Sequence, residues 1–415
     1  MFTVRTVTRS LLLASTTAIL SMPMTAHSAE DPADSLAEAV TGGTAYLNVR
    51  LRYENVDQAN FTEDANAFTI RTKLGYKTGT YEGFSGVVEF EDSRNLADEK
   101  YNNTINGLGA IYPVVADPSH TEVNQAYLSF TGLDGTKISA GRQSINLGNQ
   151  RFVGTVGWRQ NDQNLDSVTV VNTSLPDTKF FYGYVWNVNR IFGNDSPAGD
   201  HSSNSHLFNA EYSGFEYGTV TAYAYLLDNN DVAGFSTNTI GVRFAGKAKV
   251  ADKTHVLYEL EYANQTDAKD NPGDYSVNYI LASGGVGFAG ASLTATYESL
   301  GSDDGNVGFA TPLATLHKFN GWADKFLATP AAGLDDLYFT GAYKFDGALK
   351  GLKAAATYHK FTSRFGDVDY GTEFDLLVAY AIDKNYSVAV KYADYNADTY
   401  SVDTQKLWFT IGLKY

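Results

Sequence analysis

Basic side chains stand at every second position in two stretches of the chain, as Arg50 and Arg52 and then as Arg71 and Lys73. Residues two apart on a β-strand point to the same face, so each pair would present its charges together. A wall of guanidinium and ammonium groups attracts anions without any covalent step. The sequence has no cysteine and no nucleophile-elbow, zinc-protease or phosphate-loop motif. It therefore predicts anion binding and no enzyme activity, with no catalytic residues, no metal ligands and no cofactor.

The elements that carry these charges have the pattern of β-strands. Leu47, Val49 and Leu51 alternate with Asn48 and with the first two arginines, which is typical of a strand with one apolar face. The pattern recurs in eighteen segments, near residues 45–53, 67–76, 84–92, 122–130, 137–146, 164–173, 179–188, 205–212, 218–228, 236–246, 254–263, 275–285, 291–300, 336–345, 352–361, 372–380, 386–394 and 405–415. Short turns and long loops alternate between them. This indicates an all-β, transmembrane antiparallel barrel of about 18 strands, with short periplasmic turns and long extracellular loops.

The N-terminus has the features of an export signal, because an apolar run follows Arg5 and Arg9 and small residues follow the run. We predict a signal peptide at residues 1–29, a short periplasmic segment at 30–43 and a single transmembrane barrel at 44–415. The formal charge of the whole chain is −16. Loss of the signal leaves 29 basic and 47 acidic side chains, a formal charge of −18. Such an acidic chain is not expected to bind nucleic acid, which requires a basic surface.

Charged residues opposite in parity to the apolar face are expected to line the lumen. Because the first and last strands meet on closure, their cations would form one wall sector, made of Arg50, Arg52, Arg71, Lys73, Lys391, Lys406 and Lys414. Further inward candidates are Glu89, Glu91, Glu211, Arg243, Glu259, Glu261, Glu298, Glu373 and Asp375. The alternation around Arg142 is poor and leaves its direction open. Two interpretations stand: the basic sector guides anions, or the inward charges pair with one another and keep the lumen hydrated.

The longest loop, residues 301–335, contains residues with helical spacing. Thr311 and Pro312 have the character of a helix start, and apolar residues follow three or four positions apart. The sequence predicts a short amphipathic helix that either folds into the mouth and narrows it or rests on neighbouring loops. The constriction candidates of this loop are His317, Lys318, Trp322, Asp324 and Lys325. Loop 93–121 and the segment 146–166 are other candidates for a constriction.

Three stretches of the chain resemble a known family. They read EVNQAYLSF at 122–130, GRQSINLGNQRFVGTVGWRQNDQNLDSV at 141–168 and TLHKFNGWADKFLATPAAGLDDLYFTGAY at 315–343. These stretches resemble the bacterial outer-membrane barrels grouped by an alginate-export domain. The resemblance implies an eighteen-stranded barrel, with an arginine-lined lumen in the alginate exporter and porin-like character in other members. The lumen or constriction candidates that it implies here are Arg50, Arg52, Arg71, Arg142, Arg151 and Arg159.

We therefore expect a channel in the outer membrane of a Gram-negative bacterium, a porin for passive diffusion of small polar or anionic solutes such as sugar acids or oligosaccharides. The first alternative is a dedicated alginate or polysaccharide exporter. The second is a barrel-embedded hydrolase or a structural or adhesive barrel. The expected partners are the lipid bilayer, these solutes and the barrel-assembly machinery, which would recognise the terminal aromatic Tyr415. The barrel is expected as a monomer or as a homo-oligomer.

Acidic residues in the outer loops also offer oxygen ligands for Ca²⁺. The candidates are Asp228, Asp231, Asp303 and Asp304. Exposed acidic loops are more often simply solvated, and both interpretations stay open.

Overall fold

The computed structural model describes residues 32–415. The predicted signal peptide, residues 1–29, lies outside the described residues. The predicted periplasmic segment contains a short helix, α1 (Leu36–Thr41), whose N-cap Ser35 accepts the backbone N–H of Glu38 at 3.2 Å. In the part of the chain that the structure describes, no helix has the length and apolar composition needed to cross a membrane.

Twenty strands follow α1, and eighteen of them form one closed antiparallel sheet. Strand β1 pairs with β2 on one side and with β20 on the other, which closes the barrel. The short strands β14 and β15 form a separate ribbon. The strands are β1 (Thr44–Gln58), β2 (Ala65–Lys77), β3 (Phe84–Asn95), β4 (His120–Leu133), β5 (Thr136–Gln143), β6 (Asn164–Asn172), β7 (Thr178–Asn189), β8 (Asp200–Phe215), β9 (Gly218–Leu227), β10 (Thr237–Ala251), β11 (Thr254–Asp267), β12 (Ser276–Phe288), β13 (Ala291–Leu300), β14 (Ser302–Asp303), β15 (Val307–Gly308), β16 (Leu334–Lys344), β17 (Leu352–Thr362), β18 (Asp369–Ala381), β19 (Tyr386–Ala397) and β20 (Thr404–Lys414). The predicted barrel of about 18 strands is confirmed.

The pleat of the strands separates an apolar outer face from a polar inner face. More than half of the side-chain surface is exposed at the outward residues Leu128, Ile240, Leu260, Leu293 and Ile411. At most 5% is exposed at the inward residues Arg52, Glu91, Glu298, Glu373 and Lys391. An apolar belt outside and charges inside are the distribution expected of a barrel that sits in lipid and encloses water.

The connectors alternate in length around the described barrel. Turns such as residues 134–135 and 216–217 are short, whereas the loops on the other rim are longer, and the longest are residues 96–119, 144–163 and 301–333. The strands reach further into these loops than the sequence pattern predicts. Strand β1, for example, continues to residue 58. Its buried inward positions are charged as far as Glu54, but the next one, Val56, is apolar, so the polar and apolar positions of the sequence exchange faces there while the strand continues.

The helix predicted in the loop 301–335 is wrong. In the described structure this loop contains a single short 3₁₀ turn, Leu316–Lys318, and no α-helix. The backbone φ angles of Asn320, Gly321 and Asp324 are 55°, 85° and 61°. These left-handed conformations are incompatible with a continuous right-handed helix. The apolar residues with helical spacing instead enter separate contacts inside the barrel.

Candidate functional site

Two loops meet inside the barrel. The β5–β6 loop (residues 144–163) and the β13–β16 loop (residues 301–333) arise eight strands apart in the ring of eighteen, on nearly opposite walls. Val153 and Leu313 form an isolated parallel bridge. The backbone N–H of Gly154 donates to the Leu313 carbonyl at 2.8 Å. Loops from opposite walls that bond to each other must cross the lumen, and together they form a constriction.

The arginines of β1 hold the β5–β6 loop. Arg50 donates to Oε1 of Gln160 at 2.9 Å and to the carbonyl of Gly157 at 2.8 Å. Arg52 donates to the carbonyl of Trp158 at 2.6 Å, and its guanidinium lies 4.0 Å from the centre of the Trp158 ring. The two arginines are 8% and 1% exposed. In this conformation they anchor a loop and do not face an open channel.

Arg159, in the β5–β6 loop, binds a carboxylate on the barrel wall. Its two terminal nitrogens bind the two carboxylate oxygens of Glu54 at 3.2 and 3.1 Å. One of them also lies 3.5 Å from Asp117, in the loop 96–119. Glu54 is fully buried and Asp117 is 1% exposed. Bidentate guanidinium–carboxylate pairs are strong and directional, so Arg159 fixes the constriction to both the wall and a third loop.

The basic residues of β2 are also paired. Lys73 donates to the carboxylate of Asp162, and its Nζ lies 2.9 Å from Oε2 of Glu91 and 4.0 Å from Oε1 of Glu89. Arg71 lies 3.7 Å from the same Asp162. Burial alone would raise the pKa of Asp162, but the charges of Lys73 and Arg71 outweigh burial and lower it. The predicted basic sector is thus partly neutralised by an acid of the inward-folded loop.

His317 joins the β13–β16 loop to the last strands. Its Nδ1 lies 2.7 Å from Oδ1 of Asp324, and its Nε2 lies 2.7 Å from Nζ of Lys391. Because the carboxylate of Asp324 can only accept, His317 donates from Nδ1 and its Nε2 is the acceptor that faces Lys391. Burial, assisted by Lys391, lowers the pKa of His317 well below its usual range. The imidazole is therefore a neutral link in a chain of charged groups, and its ring stacks on Trp158 at 4.3 Å between centres.

Asp324 and Trp322 complete this network. Oδ2 of Asp324 accepts from Nζ of Lys406 at 2.7 Å. Burial alone would raise the pKa of Asp324, but the charges of Lys406 and Arg159 and the hydrogen bond from His317 outweigh burial and lower it. Nζ of Lys391 lies 3.7 Å from the centre of the Trp322 ring, within the distance of a cation–π interaction.

The loops meet further carboxylates on β13 and β16, the strands that flank the β13–β16 loop. Nε of Arg151 lies 2.8 Å from Oε1 of Glu298 on β13, and Nη2 donates to Oδ1 of Asn320 at 2.9 Å. Asn320 in turn donates to Glu298 at 2.8 Å and to Asp336 at 3.2 Å. Arg151 is 2% exposed and Glu298 is fully buried. This buried cluster binds both loops to the acidic side of the barrel.

A second charged cluster lies on β10 and β11. Nε of Arg243 lies 2.7 Å from Oε1 of Glu259 and 3.8 Å from Oε2 of Glu261. Asn149 of the β5–β6 loop donates to Glu259 at 3.1 Å, and its carbonyl accepts from Nζ of Lys318 at 2.6 Å. The arrangement places two cations and two carboxylates beside the point where the loops cross.

Aromatic rings fill the space beside this second cluster. The ring of Phe152, at the tip of the β5–β6 loop, lies 5.4 Å from Tyr223 and 5.2 Å from Tyr279, measured between ring centres. Phe309 of the other loop lies 5.8 Å from Phe152. These distances are typical of packed aromatic pairs. The tip of the loop is therefore held by apolar contact as well as by charge.

Arg142 is the exception among the predicted site residues. It has the parity of the outward Ala140, opposite to that of the buried Ser139. Its Nε donates to Oδ1 of Asp166 at 2.8 Å and its Nη1 to the carbonyl of Val123 at 3.0 Å. The expectation that Arg142 lines the pore is wrong, because the strand alternation carries its side chain to the outer face.

Several residues of the constriction were not singled out by their sequence pattern. Glu54, Asp117, Gln160 and Asn320 bind the loops, yet only Glu54 has a signal in the sequence. Glu54 continues the alternate series of Arg50 and Arg52 along one face of β1. The others lie in loops, where no strand period assigns a direction to the side chain.

The lysines of the β13–β16 loop predict a dependence of ion selectivity on pH. Burial lowers the pKa of Lys318 and of Lys325 from 10.5 to about 8. Both groups then lose their charge in the folded protein as the pH rises from about 7 to 9. We expect the preference for anions, measured as a reversal potential in a salt gradient, to fall over this interval. The free energy of unfolding should increase as the pH rises from about 8 to 10.5, because the unfolded chain binds more protons than the folded protein in this interval.

The double variant K318Q/K325Q should remove this part of the pH dependence. The matched control is K249Q, because Lys249 is an exposed residue whose side chain is 66% accessible. An unchanged reversal potential in the wild-type protein across the whole interval would contradict the assignment.

The sequence also matches a known family. A family model described as alginate export matches residues 44–278, more than half of the chain. The chain belongs to the alginate-export family. The resemblance seen in the sequence is thereby confirmed. A search of curated proteins finds no match to this chain.

Solved structures share the fold of this alginate-export family member. Acinetobacter baumannii OccAB2 has a TM-score of 0.73 at 15% identity, covering 91% of this chain and 99% of that one. Pseudomonas aeruginosa OccK1 (OpdK) has a TM-score of 0.71 at 13% identity, with coverage of 91% and 99%. The structure of Pseudomonas aeruginosa OpdK with vanillate has a TM-score of 0.70 at 13% identity, with the same coverage. At these identities the likeness concerns the fold.

Proposed function

We propose that this protein is a diffusion channel in the outer membrane of a Gram-negative bacterium, through which small polar or anionic solutes such as sugar acids or oligosaccharides pass down their gradient. The observation that carries the proposal is a closed barrel of eighteen strands whose lumen is crossed by two loops bearing paired charges. Eighteen strands enclose more space than their own side chains fill, which favours an aqueous channel. The loops reduce that channel to a selective passage.

The outer surface supports the location in a membrane. Leu128, Ile240 and Leu293 are 66%, 61% and 59% exposed on three different strands. An apolar face of this extent would be unfavourable in water and is the normal surface of a barrel in lipid. One structural neighbour, OpdK, is an outer membrane protein of Pseudomonas aeruginosa, which agrees with this location.

The charges of the constriction support anionic solutes. Arg243 and Lys318 flank the crossing of the loops, and both are partly accessible. Lys318 carries a positive charge below its pKa of about 8. The structural neighbour OpdK has been solved with vanillate, an aromatic carboxylate. A carboxylate solute that reaches the constriction can bind these cations, either in place of their present carboxylate partners or together with them.

A dedicated exporter of alginate is the second candidate, favoured by the family match over residues 44–278. The structure argues against passage of a bulky polymer in this conformation. Both loops are anchored at several buried points, including Arg159 and Arg151, and a polymer chain would have to displace them. Among residues 32–415, no observation specifically favours a hydrolase or an adhesive barrel.

Planar-bilayer recording of refolded protein tests the proposal. We expect discrete single-channel conductance, a reversal potential that indicates anion preference at neutral pH, and reduced ion current when small carboxylates such as sugar acids are added. Neutral sugars of equal size are the control and should reduce the current less. Block by alginate oligomers but not by monomeric sugar acids would favour the exporter. Absence of single-channel conductance would overturn the channel function, and cation preference would overturn the anionic solutes.

Three further expectations, the barrel-assembly machinery, homo-oligomers and bound Ca²⁺, belong to this proposal. The final strand β20 is followed by the aromatic Tyr415, whose backbone N–H and carbonyl both bond to Leu47 of β1. Tyr415 thus lies at the seam that closes the barrel, and its recognition by the barrel-assembly machinery stays a prediction. Association into homo-oligomers and Ca²⁺ binding in the acidic outer loops stay predictions; in the structure Asp228 lies 3.7 Å from Lys269, and Asp231 accepts the backbone N–H of Ser202.

A further inference from the structure

Three potential metal ligands converge on the inner face of strands β3 and β4, away from the crossing of the two loops. They are Glu91, His120 and Glu122, whose ligand atoms all lie within 4.8 Å of one another. The strand register explains the convergence. Glu91 stands directly opposite Glu122, and His120 lies two residues before Glu122 on the same face. The strand register therefore brings the trio together on the wall of the barrel, where Oε1 of Glu91 also accepts the backbone N–H of Asp162 from the β5–β6 loop at 3.2 Å.

The imidazole of His120 is held in the state that a metal ion needs. Its Nδ1 lies 2.9 Å from the carbonyl of Pro118, so Nδ1 carries the proton and Nε2 carries the lone pair. His120 is 8% exposed, and Nε2 is buried without a hydrogen-bond partner among the described residues. Metal-ligating histidines typically donate their other ring N–H to a carbonyl or carboxylate in this way. A buried imidazole nitrogen without a partner is otherwise unfavourable.

The ring of His120 is also held in place from the side. The backbone of Gly193 passes so close that a Cβ atom there would lie 3.1 Å from Cγ of His120. Gly193 has a φ of 72°, a conformation that glycine adopts readily. The ring therefore has little freedom to turn Nε2 away from the two carboxylates.

The charge of this region favours a cation. Glu91 and Glu122 face each other across the strand pair, and like charges in that position repel. Lys73 lies 2.9 Å from Glu91, but it is shared with Asp162. In the part of the chain that the structure describes, Glu122 has no cation within ion-pair distance. An additional positive charge between the two glutamates would relieve the repulsion.

We propose that Glu91, His120 and Glu122 bind a divalent transition-metal ion of the zinc class. One imidazole and two carboxylates form a donor set that suits zinc, whereas calcium and magnesium prefer oxygen ligands alone. Ligands of a tetrahedral zinc ion lie about 3.4 Å apart, given bond lengths of about 2.0 to 2.1 Å. The three ligand atoms lie within 4.8 Å of one another, so the glutamate side chains would have to rotate to reach that separation.

Equilibrium dialysis against zinc chloride tests the site. The protein is purified in detergent without a polyhistidine tag, dialysed in the presence of excess Mg²⁺ and Ca²⁺, and its bound zinc is measured by mass spectrometry. We expect about one zinc ion per chain. The variants H120A and E122Q should weaken zinc binding by more than about tenfold, because even the loss of an outer-shell partner costs that much.

The control variant is H255A, because His255 lies on β11, at the opposite end of the strand from the constriction. It should retain the zinc of the wild-type protein. Heat-dependent migration on a denaturing gel shows whether each variant is a folded barrel, and E122Q supplies a folded test if H120A does not assemble. Absence of bound zinc from the wild-type protein, or equal binding by folded E122Q, would overturn the proposal.

Discussion

Replacement of Arg159 by alanine should lower the free energy of unfolding by about 3 to 5 kcal/mol, because it leaves buried charges without a partner. Arg159 binds Glu54 through two hydrogen bonds and lies 3.5 Å from Asp117. Both carboxylates are at most 1% exposed. Water cannot solvate these two carboxylates unless the β5–β6 loop moves away from the barrel wall. We therefore expect the loss of stability to be accompanied by larger fluctuations of the single-channel current.

The matched control is R94A. Arg94 and Asp92 form an ion pair at 2.7 Å, but their side chains are 47% and 35% exposed. Exposed pairs contribute less than about 1 kcal/mol. Unfolding by guanidinium chloride in detergent measures both variants. Equal stability of R159A and R94A would show that the loop is not held by the buried pair.

Removal of the β13–β16 loop should raise the single-channel conductance about two- to fivefold, because eighteen strands without inward loops enclose a wide aqueous channel. Leu300 and Leu334 are register partners at the ends of β13 and β16. Replacement of residues 302–332 by an Asn-Gly dipeptide would therefore close the strands with a short hairpin. The variant loses His317, Trp322 and Asp324, which leaves the wall lysines exposed to the lumen.

The control for this deletion is a shortening of loop 59–64. Five of its six residues are exposed, so its removal leaves the constriction intact. Planar-bilayer recording at fixed salt compares the two variants with the wild-type protein. A conductance unchanged by loss of residues 302–332 would show that the β13–β16 loop does not narrow the channel.

The barrel is readily predicted from the sequence because each strand repeats the same physical rule. Apolar residues such as Leu51 and Ile70 face lipid, while their neighbours Arg52 and Arg71 face inward, and eighteen such segments leave few alternatives. The inward direction of the wall cations follows from the same alternation. Their role does not, because parity places Arg50 and Arg52 in the lumen without showing what they contact.

The constriction is harder to predict because it depends on contacts between distant loops. Arg159 and Glu54 are 105 residues apart, and no local pattern connects them. Helical spacing in the β13–β16 loop is misleading for the same reason. Trp322 and Phe326 pack against different inward side chains. Left-handed turns at Asn320 and Asp324 direct the two side chains to these separate contacts.

Disulfide cross-linking can establish whether the two loops meet across the lumen, and the absence of native cysteine makes the experiment clean. Val153 and Leu313 are bridge partners in loops from nearly opposite walls. Bridged residues have Cα atoms close enough for a disulfide. The adjacent-strand partners Ser129 and Ser139, whose Oγ atoms lie 2.8 Å apart, provide the positive control as S129C/S139C. We expect V153C/L313C to oxidise as completely as this control, with the single-channel conductance of the wild-type protein. Failure of V153C/L313C to cross-link while the control does would show that the loops do not meet across the lumen.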